Sequence, residues 1–149
     1  MFTQMTDIGG RTTNYFYNSP VNNYMPTVLI VEDDEDNREL LRVLLEIWNY
    51  RVVEAVNGIE ALNLAEQVSP DLILMDVKLP LLDGLEATRE IRKSANIGSV
   101  PIVFLSGCAE AKFRNAANEV GANAYLVKPL DYDNLQTTIA EQIVFPRNT

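Results

Sequence analysis

Val28-Leu29-Ile30-Val31-Glu32-Asp33-Asp34-Glu35-Asp36 begins with an unbroken apolar run and ends in a cluster of acids. A short run of this kind marks a strand buried on both faces, and the acids after it mark where that strand reaches an edge. Directly beyond, Leu41, Leu44, Leu45 and Trp48 recur at i, i+3, i+4, i+7 spacing, so a helix follows the strand.

The strand-then-helix unit repeats along the chain. Val52 to Val56 makes a second strand, and Asn57 with Glu60 gives a capping-box-like start to a helix burying Ala61, Leu64, Ala65 and Val68. Leu72-Ile73-Leu74-Met75 is a third strand, followed by Asp83 and Glu86 at the start of a helix whose inner face holds Leu85, Thr88 and Ile91. Val100 to Leu105 is a fourth strand, and the helix after it carries Phe113, Ala116, Ala117 and Val120 before Gly121 stops it. Ala124 to Val127 is a fifth strand, and a last helix from near Asp131 places Leu135, Ile139 and Ile143 on one face. Parallel strands need crossover helices, and continuous apolar strands need cover on both faces. The expected fold is therefore doubly wound α/β over residues 27–143, with five parallel strands and five helices.

Residues 1–26 are rich in Asn, Thr and Tyr and have no apolar period, so they read as a flexible tail. Met25-Pro26 just before the first strand gives a second account of that tail, an upstream start codon. Residues 144–149 read as a short C-terminal tail, with no output domain following.

A length of 149 residues suits one domain. The formal charge of −9, from 21 acidic and 12 basic residues, repels nucleic-acid backbones and anionic membrane surfaces. A single cysteine, Cys108, forms no internal disulfide and reads as loop filler, and no apolar run is long enough for a signal core or a membrane span. A reducing cytoplasm is the expected location. The chain has no histidine, which excludes Ser-His-Asp triads, Cys-His pairs and ordinary zinc sites. Its abundant carboxylates suit a hard cation such as Mg²⁺.

In doubly wound sheets, ligands sit at the carboxyl ends of the strands, where strand order reverses. Those ends carry Glu32-Asp33-Asp34 after the first strand, Asp76 after the third, Ser106 after the fourth and Lys128 after the fifth. Taken singly, each is ordinary punctuation between a strand and a helix. Together, three carboxylates at one edge repel one another and raise a pKa unless a cation lies between them. The acidic first turn also lacks the glycines that cradle phosphate in nucleotide-binding folds, so a phosphate reaches this edge only beside a metal and Lys128.

These residues resemble the response-regulator receivers of two-component signalling, including single-domain, chemotaxis-regulator-like members. The likeness covers nearly all of Thr27 to Ile143. It rests on Glu32-Asp33, the segment Leu-Met-Asp76-Val-Lys-Leu-Pro-Leu-Leu-Asp-Gly84, Ser106 and the Lys128-Pro129 pair. The resemblance implies a flavodoxin-like receiver fold and a phosphoacceptor at Asp76. It also implies Mg²⁺ held by Asp33, Asp76 and the backbone carbonyl of Lys78, with Glu32 acting through water. Lys128 would pair with the phosphoryl group, Ser106 and Tyr125 would be switch residues, and a cis bond would precede Pro129. Tyr125 also reads as half-buried core.

The implied phosphoryl donor is a sensor histidine kinase or a histidine phosphotransfer protein. The implied output is a protein partner reading the 111–143 face, a homodimer, or onward transfer of the phosphoryl group. Such a switch catalyses only its own phosphorylation and dephosphorylation. A phosphohydrolase of the haloacid-dehalogenase type would need a second Asp two residues after the nucleophile, where Lys78 stands. A flavodoxin-like cofactor binder would need a phosphate-friendly first loop. A receiver-shaped module that is never phosphorylated would have lost site residues that this chain keeps.

Overall fold

The computed structural model describes residues 24–143 and the backbone of Thr3–Thr6 (β1) and Thr12–Tyr15 (β2). β1 and β2 pair antiparallel, with Thr3 opposite Tyr15 and Thr6 opposite Thr12. Their Thr and Tyr content favours extended backbone, so the stretch expected as a tail contains a small ribbon. The rest of that stretch as far as Asn23, and the C-terminal tail expected over 144–149, lie outside the described residues.

The main sheet is built from Thr27–Val31 (β3), Arg51–Ala55 (β4), Leu72–Asp76 (β5), Ile102–Ser106 (β6) and Ala124–Val127 (β7). Its order is β4-β3-β5-β6-β7 and every pair is parallel. Between the strands run Glu35–Ile47 (α1), Gly58–Val68 (α2), Gly84–Lys93 (α3), Ala111–Glu119 (α4) and, after the last strand, Tyr132–Gln142 (α5). The doubly wound fold expected from the pattern of apolar runs is the fold observed.

Strand side chains alternate between two apolar layers, as the pleat demands. Leu29, Val31, Ile73, Met75, Ile102 and Phe104 pack with Ala61 and Ala65 of α2, Ala87 and Ile91 of α3 and Ala117 of α4. Val28, Ile30, Leu72, Leu74, Val103 and Leu105 pack with Leu41 and Leu45 of α1 and Leu135 and Ile139 of α5. Complete burial of a side chain such as Leu29 or Phe104 contributes about 1.5–3 kcal/mol before conformational entropy is charged.

The helix starts follow the sequence signals. Asn57 Oδ1 accepts the Glu60 N–H at 2.8 Å and Asp83 Oδ1 accepts the Glu86 N–H at 2.9 Å. Asp34 and Asp131 cap α1 and α5 in the same way, at 2.8 and 3.1 Å. Gly121 after α4 has φ +95°, the left-handed stop expected of it. Gly84 is required for a different reason. A Cβ there would sit 2.4 Å from the carbonyl oxygen of Asp76, so only glycine lets α3 begin against the end of β5.

Three local expectations need correction, the first being Val68, which ends α2 and is 39% exposed rather than buried. The second and fourth strands run Arg51–Ala55 and Ile102–Ser106, shifted from Val52–Val56 and Val100–Leu105. Phe113, expected on the inner face of α4, is 36% exposed, while Ala117 and Val120 are buried. Phe113 lies in the first turn of that helix, beyond the sheet's core, where Lys112 Nζ stands 5.1 Å from its ring centre.

Candidate functional site

The chain runs from β3 outward to β4 and returns on the other side of β3 to β5, so strand order reverses between β3 and β5. Val31 and Met75 are register partners there. The residues after them, Glu32, Asp33 and Asp76, therefore emerge side by side, and one carboxylate oxygen from each lies within 4.8 Å of the others. β6 lies beside β5 and β7 beside β6, and their ends bring Ser106 and Lys128 to the same edge.

Lys128 spans the acids. Its Nζ is 3.2 Å from Asp76 Oδ2 and 3.7 Å from Glu32 Oε1, and its side chain is 32% exposed. The Lys128-Pro129 bond is cis, as the resemblance implied. Asp76 Oδ1 accepts the backbone N–H of Lys78 at 3.1 Å, so both carboxylate oxygens have a donor. Glu32 is only 3% exposed and its Oε2 has no hydrogen-bond partner. Burial pushes its carboxyl up to about 8, helped by the neighbouring Asp76 carboxylate and opposed by Lys128 and Asn37.

A buried carboxylate oxygen without a partner is costly. An oxygen-seeking divalent cation among Glu32, Asp33 and Asp76 would remove both that cost and the mutual repulsion. The donor set is all oxygen, which fits Mg²⁺ and is unsuited to softer metals.

The edge opens into a cleft of about 530 Å³ bordered by Asp33, Lys78, Pro80, Asp83, Leu85 and Phe113. In the loop after Asp76, Leu81 is held at φ +67° with its side chain 80% exposed. Non-glycine residues enter that region only when the surrounding chain enforces it. A second cavity of about 250 Å³ lies beside Glu32 and Lys128, walled by Leu40, Leu41, Leu105 and Pro129.

Ser106 is buried, and its Oγ accepts the Cys108 N–H at 3.1 Å. Tyr125 does not touch Ser106 directly in the hydrogen-bond network. Its hydroxyl donates to the Cys108 carbonyl at 2.7 Å, and the Arg114 guanidinium lies 5.1 Å from its ring centre. Cys108, read as loop filler, thus links the two residues through its backbone. A backbone link leaves no trace in residue type, so no sequence signal pointed to it.

One contact at the acidic turn was also missed. Arg38 of α1 donates from Nη1 to the carbonyl oxygen of Glu32 at 3.1 Å. Its position four residues after the helix cap was the available signal, because helical side chains lean back over the preceding turn.

Among the described residues no helix is long and apolar enough to cross a membrane. Residues 28–140 match the family model of the response regulator receiver domain. The polar-differentiation response regulator DivK of Brucella anthropi is 36% identical over 113 residues, which cover 76% of this chain and 92% of DivK. The transcriptional regulatory protein ZraR of Klebsiella oxytoca is 37% identical over 120 residues, but the chain spans only 27% of its length. Among solved structures, the Vibrio cholerae chemotaxis protein CheY4 superposes with a TM-score of 0.77 at 29% identity, covering 80% of this chain and 100% of that one. The receiver domain of the Pseudomonas aeruginosa sensor histidine kinase PA1611, described with a magnesium ion in its active site cleft, gives 0.75 at 38% identity, covering 80% and 98%. With the parallel five-stranded sheet and the acids gathered at its switch point, these matches place the chain in the response regulator receiver domain family.

Proposed function

We propose that residues 27–143 form a phosphorylation-activated switch that takes a phosphoryl group onto Asp76 and signals through an altered surface. The observation that carries this reading is Lys128 Nζ lying 3.2 Å from Asp76 Oδ2 at the edge where Glu32, Asp33 and Asp76 converge.

A carboxylate attacks a phosphoryl group poorly because both are negative, so the site must offset charge on the transferring oxygens. Lys128 does so from one side. Asp33, Asp76 and the Lys78 carbonyl, with Glu32 through water, would hold Mg²⁺ on the other. When bound, Mg²⁺ supplies charge neutralisation and orients the phosphoryl oxygens. The magnesium ion in the receiver of PA1611 supports that assignment.

The chain has no histidine, so the phosphohistidine is supplied by a partner, a sensor kinase or a phosphotransfer protein. An Asp76 oxygen bonds to phosphorus as the P–N bond to the partner's imidazole breaks, and that nitrogen keeps the electron pair. The product is an acyl phosphate of roughly −2 charge. Water attacking phosphorus later returns the carboxylate and releases inorganic phosphate. The chain thus acts on itself, in the cytoplasm where kinases have ATP, and turns over no separate substrate.

Output follows from Ser106. Its hydroxyl can turn to the new phosphoryl oxygens, giving up the Cys108 N–H and loosening the loop that Tyr125 holds. The face built from residues 111–143 is then the surface a protein partner or a second copy reads.

Incubation of the chain with acetyl phosphate and Mg²⁺, followed by intact mass, tests the reading. One added phosphoryl group, absent in Asp76→Asn, is the expected result. No gain in the wild type would leave a receiver-shaped binding module.

A further inference from the structure

The two acids after β3 are consecutive, so one planar peptide group joins them. The carbonyl of Glu32 and the N–H of Asp33 belong to that plane, and its tilt sets where both carboxylates point. On its near side the Glu32 residue is tied by the sheet, through its N–H to the Ala55 carbonyl at 3.0 Å. On its far side the tie is Arg38, whose Nη1 donates to the Glu32 carbonyl at 3.1 Å. Among the described residues no other side chain bonds to this peptide.

Arg38 is itself held in place. Its backbone N–H bonds the Asp34 carbonyl at 3.0 Å, fixing it in the first turns of α1. Its Nε lies 4.0 Å from Glu54 Oε1, and Arg42 Nε meets the same oxygen at 3.6 Å. Glu54 sits on β4 opposite Ile30, two residues before Glu32. The Arg38 side chain is 17% exposed, drawn in by its pairing with Glu54 and with the Glu32 carbonyl. A solvated surface arginine would have neither the carbonyl bond nor this burial.

We propose that Arg38 is a positioning residue for the metal site. By fixing the peptide between Glu32 and Asp33, it aims both carboxylates at Asp76 and strengthens Mg²⁺ binding without touching the ion. The inference rests on the Mg²⁺ reading of the site given above. It adds a partner outside the ligand set, of the kind that orients ligands in metal centres.

Mg²⁺ titrations of the full chain, followed by amide chemical shifts, separate this role from a purely structural one. Arg38→Met keeps the aliphatic stem and removes the donors. It should weaken Mg²⁺ binding about tenfold while circular dichroism stays native, and Arg38→Lys, which restores a donor, should recover most of the loss. A structural role would instead lower the metal-free melting temperature and leave the dissociation constant unchanged. Wild-type affinity in Arg38→Met, or Arg38→Lys binding no better than Arg38→Met, would overturn the proposal. If Arg38→Met does not fold, Glu54→Gln, which frees the outer anchor of Arg38, decides it: weakened binding supports the role and unchanged affinity overturns it. A wild type that binds no Mg²⁺ is a different result, since it would overturn the metal reading itself.

Discussion

The ammonium of Lys128 lies 3.2 Å from a carboxylate oxygen of Asp76, across 52 residues of sequence. It meets Glu32 as well, at 3.7 Å. A single cation thus offsets two acids, one just past β3 and one at the end of β5, on a side chain that is still one-third open to water. Its packing contribution is small, so its removal should affect chemistry far more than folding.

Lys128→Ala should retain the native circular dichroism spectrum. Its rate of labelling by acetyl phosphate should fall about a hundredfold, the loss seen when one fixed charge-stabilising group is removed from a site. Measuring both on the same preparation separates the outcomes. A lost fold would make Lys128 structural, and an unchanged rate would remove it from the site.

Mg²⁺ should stabilise the chain by mass action, with few protein ligands and therefore modest affinity. At ten times the dissociation constant the gain is about 1.4 kcal/mol, and the melting temperature rises by about 5 °C for a domain of this size. Asp33→Ala should abolish the increment. Melting curves in Mg²⁺ and in excess chelator test this, and equal midpoints for the wild type in both would contradict it.

Glu32 should make metal-free stability fall as pH rises. Its carboxyl is raised from an ordinary 4.5 to about 8 by burial and by Asp76, so the folded state holds a proton that the unfolded chain has already lost. The contribution is complete below about pH 4.5 and is lost as pH rises through about 8. Glu32→Gln should therefore gain on the wild type as pH rises, in urea melts run in chelator at pH values across that window. Parallel curves would show that Glu32 ionises as freely folded as unfolded.

Ser106→Ala should still accept a phosphoryl group on Asp76, more slowly, yet fail to pass the change on. The tie it disturbs runs from Ser106 Oγ to the Cys108 N–H at 3.1 Å and from the Cys108 carbonyl to the Tyr125 hydroxyl at 2.7 Å. On the proposed function, phosphorylation would bias a two-state equilibrium through such differential contacts. Hydrogen exchange with and without beryllofluoride should change across residues 111–143 in the wild type and much less in the variant. A response confined to the loops around Asp76 would place the output face elsewhere.

Much of this was legible in one dimension. The apolar runs at Val28–Val31 and Leu72–Met75 and the caps at Asn57, Asp83 and Asp131 are local signals, and each marks the element or helix start it implied. Phe113 misled because helical spacing tells which residues share a face, not how far along the helix the core extends. Only Ala117 of that helix and Val120 at its cap reach the interior.

The sequence by itself determined the five strands and five helices of the main sheet, their order, and to within a residue or two where they end, because strand and helix periods and caps are carried by neighbouring residues; the β1-β2 ribbon it did not show. Which of those ends meet was decided by the tertiary structure. Placing β3 between β4 and β5 brings Glu32 and Asp33 against Asp76. The order β5-β6-β7 carries Lys128 back over the same edge. The return of Arg38 onto the Glu32 carbonyl, and the path from Ser106 to Tyr125 through the backbone of Cys108, depend on the packing of α1 and on loop conformation. Backbone carbonyls and N–H groups are the same in every residue, so contacts made through them become visible only once the chain is folded.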